Sequence, residues 1–140
     1  MENKRFLPLV DRLYWFIWVP TLLILIVGTV LSVCSLIALL ILIATDIFTL
    51  YFLVSPLFGY VELREKTVYI KFGFIISREI EYTRIREVET ERKFYSESMT
   101  SLKCAFEHVN IKYNRFEVVT VSVKNNSALV AELEARKRNE

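Results

Sequence analysis

The chain has 140 residues, is 54% hydrophobic, and carries 18 Lys/Arg against 16 Asp/Glu for a formal net charge of +2. Bases and acids interleave, which excludes nucleic acid as the main partner, because phosphate neutralisation needs a basic face of one sign. A usable zinc site needs three or four ligands, and a single His with no clustered thiols does not supply them, so neither metal nor cofactor is expected.

The first twelve residues, with Lys4, Arg5 and Arg12 against Glu2 and Asp11, read as a basic-leaning flank, and Tyr14, Trp15 and Trp18 follow as an interfacial aromatic belt. From Leu13 to Thr45 no side chain is charged, and after the lone Asp46 another uncharged run continues to Val61. One helix over residues 13–61 would be roughly 73 Å long against a bilayer core of ~30 Å, so the chain must cross, turn and return. The spans are expected at Tyr14–Ser32 and Leu36–Val54, joined near Gly28–Ser35, within a hairpin segment 13–55. The run is too long for a signal peptide and has no small-residue cleavage site, so the hairpin should be retained.

Pro20 predicts a local bend in the first span, and Ser55-Pro56 ends the second. Arg64, Lys66 and Lys71 follow that span closely while the connecting turn is uncharged. Both termini are therefore expected in the cytosol, with the hairpin as a multi-pass anchor in the cytoplasmic membrane. Cys34 and Cys104 then fall on opposite sides of the bilayer, so no intrachain disulfide is expected.

Residues 56–140 form the soluble part. A first strand is expected at Phe58–Leu63, with a turn at Arg64-Glu65-Lys66. Val68, Ile70 and Phe72 then alternate with Thr67, Tyr69 and Lys71 as a half-buried strand closed by Gly73. Ile76–Tyr82 alternates likewise, with Ile76, Ile80 and Tyr82 on the apolar face, and completes a hairpin around Gly73–Ile75. Tyr82, Ile85 and Val88, spaced by three, suggest one helical turn before a short polar strand through Glu91. Arg92–Thr100 has turn character. Between Ser101 and Tyr113 the apolar phase slips by one residue near Glu107, which requires two strands with a turn or one strand with a bulge. A last strand covers Phe116–Val123. Asn125, Asn126 and Ser127 then offer N-caps to a helix with Leu129, Val130 and Leu133 on its apolar face and Arg136, Lys137 and Arg138 in its last turn.

About seven strands and a terminal helix follow the plan of a pleckstrin-homology (PH) barrel. Val68-Tyr69-Ile70-Lys71-Phe72-Gly73, the spaced element Tyr82-Thr83-Arg84-Ile85-Arg86-Glu87-Val88, and the stretch from Cys104 to Tyr113 carry a more specific likeness. Together with the two preceding apolar helices, they resemble the YyaB-like bacterial PH-domain family over about residues 12–138. The chain departs from the family's pattern at Ala105, Glu107 and His108, where Ser, Asp and Arg stand in the family. It departs again at Val121-Ser122-Val123, where Ile-Ser-Pro is usual. The resemblance implies a membrane α-helical hairpin joined to an α+β or all-β PH-like barrel, and carries no activity with it.

Asp46 is the costliest residue, since a carboxylate near a span centre costs about 2.5–3.5 kcal/mol on insertion scales. It reads either as a polar contact to another membrane helix or an ion path, or as an acid bonded to a neighbour such as Thr45 or Thr49. Cys104 and His108 read as barrel residues. No Ser/His/Asp arrangement, glycine-rich phosphate loop or Cys-x-x-Cys is present, so an enzyme is not expected. The Arg64-Glu65-Lys66 turn has an acid between two bases, unlike the cationic cluster of an inositide reader. Arg84, Arg86, Arg92 and Lys93, with Phe94 and Tyr95 beside them, are a candidate edge for a protein partner or a second copy, or else a charged edge that resists aggregation. The expected role is a membrane-anchored binding or scaffolding module that engages a protein partner or another copy of itself. The alternatives are protection against a membrane-active bacteriocin or, least in keeping with the residues, a small membrane enzyme.

Overall fold

A computed structural model describes residues 3–96, 98 and 101–139. Met1, Glu2, Glu97, Met99, Thr100 and Glu140 lie outside the described residues, and with them part of the expected turn over 92–100.

The apolar run folds as two helices, α1 (Arg12–Leu31) and α2 (Leu36–Val54). The Asp11 carboxylate caps α1 by accepting from the Arg12 N–H at 2.7 Å, and the helix runs unbroken past Pro20. It ends where the Ser32 N–H closes back on the Gly28 and Thr29 carbonyls. Pro56 stops α2, and the chain leaves through a single 3-10 turn, Ser55–Phe58. Both helices are long and apolar enough to cross a membrane, and they turn almost all of their side chains outward. Only Tyr14 on α1, and Thr49 and Leu53 on α2, are buried. A core helix of a soluble protein would show the reverse.

The remainder forms two sheets. The first comprises β1 (Lys4–Phe6), β2 (Tyr60–Leu63), β3 (Thr67–Lys71) and β4 (Ser77–Glu81) in that order, antiparallel throughout. The second contains β5 (Ile85–Arg92), β6 (Ser101–Leu102), β7 (Glu107–Tyr113) and β8 (Glu117–Val121), ordered β5-β7-β8-β6 with β6 parallel to β8. Bridges from Pro8 to Val123 and from Val10 to Cys104 tie the segment after β1 to the second sheet.

Alternation places Val61, Leu63, Val68 and Ile70 on one inner wall and Val109, Ile111, Val119 and Val121 on the other, all fully buried. The helix α3 (Asn126–Arg138) closes the barrel with Leu129 and Leu133. Its start is fixed twice: Asn125 accepts from the Ala128 N–H at 3.1 Å, and Asn126 Oδ1 accepts from the Val123 N–H at 2.9 Å.

Eight strands are present among the described residues where about seven were expected. The additional one is β1, inside the segment read as a charged flank. Lys4 pairs with Leu63 and Phe6 with Val61, so the barrel takes its first strand from the far side of the helical hairpin. Three local readings also change. Ile76, assigned to the inner face of a strand, is 55% exposed, because that strand begins at Ser77 and Ile76 stays in the loop. The helical turn expected over Tyr82–Val88 is a 3-10 turn at Tyr82–Arg84, and the strand after it starts already at Ile85, with an irregular register between Ile85 and Glu87. The phase slip near Glu107 resolves as two strands, β6 and β7, which occupy different places in the sheet.

Gly73, at the end of β3, has φ +153°, and a Cβ there would lie 1.9 Å from Ser55 Oγ. Only glycine permits this approach, which seats the β3–β4 loop against the end of α2.

Candidate functional site

Asp46 sits ten residues into α2, about 15 Å along it at ~1.5 Å per residue. Its Oδ2 accepts from Thr29 Oγ1 on α1 at 2.7 Å. The expected neighbours do not serve it: the Thr45 hydroxyl donates to the Ile41 carbonyl instead. Thr29 Oγ1 also lies 3.0 Å from the Leu25 carbonyl, so one hydroxyl proton is shared between two acceptors. Asp46 Oδ1 is buried with no hydrogen-bond partner among the described residues. At the other end of the hairpin the Tyr14 hydroxyl donates to the Leu53 carbonyl. These two links clasp the helices at separate depths.

The six residues of the candidate edge do not converge. Ten residues separate Arg84 from Phe94, and most of them are the extended strand β5, about 27 Å long at ~3.4 Å per residue. Arg84 donates to Glu81 at 3.0 Å and Arg86 to the Arg115 carbonyl at 3.0 Å, both at the end of the barrel remote from α1 and α2. Arg92, Lys93, Phe94 and Tyr95 lie at the helical end. Lys93 donates to Glu91 at 2.9 Å and its ammonium lies 5.7 Å from the Tyr95 ring centre. Phe94 and Tyr95 are themselves exposed. The outer face of β5 is further neutralised by Lys112 of β7, which bridges Glu87 at 3.0 Å and Glu89 at 2.7 Å. These two bonds hold the Lys112 ammonium above, and the Glu87 carboxyl below, their ordinary ranges.

The Arg64-Glu65-Lys66 turn is likewise remote from α1 and α2. Arg64 is engaged by Glu62 at 3.3 Å and Glu79 at 3.2 Å, while its carbonyl accepts from Arg136 Nη1 at 2.6 Å.

One polar chain was not legible beforehand. Thr120 Oγ1 donates to Asn110 Oδ1 at 2.7 Å, and Asn110 Nδ2 donates to Glu91 Oε2 at 3.0 Å. His108, fully buried, has Nδ1 2.9 Å from the Phe106 carbonyl and Nε2 3.8 Å from Glu91 Oε2. The Lys93 hydrogen bond, foremost, holds the Glu91 carboxyl below its usual range. Asn110 and Thr120 fall out of phase with Val109, Ile111, Val119 and Val121, on the other face of the second sheet, and are fully buried there, so alternation alone read them as solvent-facing polar positions. Burial pushes the Cys104 thiol up to about 11, which fits a packing residue. No group of three or more His, Cys, Asp or Glu side chains that could hold a metal occurs among the described residues.

The family model described as a bacterial PH domain matches residues 59–137, more than half of the chain. The chain belongs to the bacterial PH domain family. Two apolar helices before such a domain are consistent with the YyaB-like resemblance. No curated protein and no solved structure matches the chain. PH-like domains are generally non-catalytic, and the match covers every strand from β2 to β8 and nearly all of α3. The strand β1 and both apolar helices lie outside the match.

Proposed function

We propose that this protein is a non-enzymatic scaffold of the bacterial cytoplasmic membrane: the hairpin spans the bilayer and the PH domain engages a protein partner, or a second copy, on the cytosolic side. The observation that carries the reading is the rigid junction between the PH domain and the helices. The Asp11 N–H bonds the Cys104 carbonyl at 2.9 Å immediately before α1, and Ser55 packs on Gly73 immediately after α2. A domain joined without a linker at both helices keeps one orientation to the bilayer plane, which suits a docking platform better than a tethered, searching module.

Orientation follows from charge. Lys4, Arg5, Arg12, Arg64, Lys66 and Lys71 all lie on the domain side, and β1 pairing with β2 requires both ends of the hairpin to emerge together. An inositide is disfavoured as partner, since the turn that would read it points away from the helices with its arginine already paired. An enzyme is disfavoured because Glu91, Asn110 and Thr120 are spent on hydrogen bonds to one another along the second sheet's other face.

Self-association through the hairpin is read from Asp46, since a carboxylate in mid-span is costly and favours polar contacts between membrane helices. The test compares the oligomeric state of Asp46→Asn and Asp46→Leu with the parent in mild detergent. An assembled parent that Asp46→Leu dissociates is the expected result, and unchanged assembly in both variants refutes self-association through this residue. Cells lacking the protein that become selectively sensitive to a bacteriocin, with no membrane complex altered, would favour the protective role instead.

A further inference from the structure

The end of the PH domain that meets the helices carries six large apolar or aromatic side chains on exposed loops. Phe58 is 57% exposed, Phe74 49%, Ile75 79% and Ile76 55%, all beside α2; Phe94 is 67% and Tyr95 62% exposed, on the segment beside α1. Turns facing water favour Gly, Asn, Asp and Ser, and a cluster of this size on loops requires an apolar partner.

The depth of these loops relative to the helices identifies that partner. The Phe74 ring centre lies 6.1 Å from that of Tyr51, one turn inside α2, and 4.9 Å from that of Phe58. Phe94, whose ring centre is 6.1 Å from that of Phe106, lines a crevice with Ile17 and Trp18, more than a turn inside α1. The loops therefore stand alongside the helices rather than beyond their ends. With 20 and 19 residues, α1 and α2 are about 30 Å and 29 Å long, just matching a bilayer core of ~30 Å. Neither helix has a turn to spare, so whatever is level with Tyr51, Ile17 and Trp18 is level with lipid. In sequence, Lys71 and Lys93 adjoin the two loops and Arg12 opens α1, where headgroup phosphates would be. Lys103 Nζ donates to the Lys93 and Tyr95 carbonyls at 2.5 and 2.7 Å and holds the second loop in place.

We infer that the PH domain is itself a lipid-binding element: Phe74, Ile75 and Ile76 on one side of the hairpin, and Phe94 and Tyr95 on the other, enter the headgroup and upper acyl layer of the same leaflet. This rests on the hairpin spanning the bilayer. It adds that the barrel is partly immersed rather than suspended in water, and that its rotation about the hairpin is fixed by two apolar wedges.

The experiment uses the full chain, with Cys34→Ser and Cys104→Ala, in vesicles of phosphatidylethanolamine and phosphatidylglycerol. An environment-sensitive fluorophore is placed by Ile75→Cys, Ile76→Cys or Phe94→Cys, with Ile24→Cys in mid-span and Phe116→Cys at the remote end as references. The expected result is strong quenching of the three loop probes by lipids spin-labelled near the headgroup, blue-shifted emission, and an aqueous Phe116→Cys probe. If the Ile24→Cys probe is quenched from lipid but the loop probes behave like Phe116→Cys, the immersed domain is refuted and the spanning hairpin stands. If the Ile24→Cys probe is aqueous as well, the spanning hairpin falls, and the immersed domain with it.

Discussion

Replacing Gly73 with alanine should loosen the barrel from the helices, and two separable costs set its size. Alanine at φ +153° occupies backbone space that a Cβ disfavours, which costs about 1–3 kcal/mol. The new methyl also meets Ser55 Oγ at 1.9 Å and the Ser55 carbonyl oxygen at 3.2 Å, and overpacking of this kind costs a further ~1–3 kcal/mol. Gly73→Ala should therefore lose roughly 2–6 kcal/mol, or about 10 °C or more in melting midpoint for a domain of this size. Ser55→Ala removes the nearest obstacle and leaves Cβ at 3.1 Å, so the double variant should recover the steric part and keep the backbone part. The assay is thermal unfolding of the detergent-solubilised chain followed by circular dichroism, with limited proteolysis between α2 and β2 as a local readout. A Gly73→Ala protein within about 0.5 kcal/mol of the parent would overturn the claim that the loop is seated on the helix end. A double variant no better than the single would overturn its steric half.

The Glu79 carboxyl is held below its ordinary range by the Thr67 hydroxyl first and by Arg64 after it. Its contribution is thus present above the unfolded value of about 4.5 and is lost as pH falls through the lower folded value. The parent's melting midpoint should drop more between pH 6 and pH 3 than that of Glu79→Gln, and equal drops would contradict the assignment. Cys104, buried with its thiol pushed up to about 11, should resist a maleimide at pH 8 in a Cys34→Ser background and react fully after unfolding in SDS, because only about a thousandth is thiolate at that pH. Rapid labelling of the folded protein would show that the segment from Leu102 to Phe106 opens.

The hairpin was legible because lack of charge over residues 13–45 is a signal no tertiary contact can disguise. The inner faces of β2 and β3 were legible because Val61, Leu63, Val68, Ile70 and Phe72 keep strict period two. What failed had local causes. Lys-Arg-Phe at 4–6 is too short to alternate, and it becomes a strand only through backbone pairing with a partner more than fifty residues away. Ile76 fitted the alternation by coincidence, since an apolar loop that serves another purpose carries the same letters as a strand. Along the run from Arg84 to Lys93, the ion pairs of Arg84 with Glu81, Lys93 with Glu91 and Lys112 with Glu87 were not readable from spacing. Cross-strand partners such as Lys112 cannot be assigned before the register is known. Asp46 stood out at once, but its bond to Thr29 depends on how two helices are rotated against each other, which spacing alone leaves open.

The pairing of β1 with β2 orders events during biosynthesis. A ribosome releases the first strand long before its mate, and between them the nascent chain must complete both helices, which on the proposed function means inserting them into the bilayer. The opening segment then waits with unpaired backbone groups until Tyr60–Leu63 emerges. On the proposed spanning arrangement, closure of the β-structure would thus depend on correct insertion: a chain that left its second helix outside the bilayer would strand the two halves of that sheet on opposite faces of the lipid.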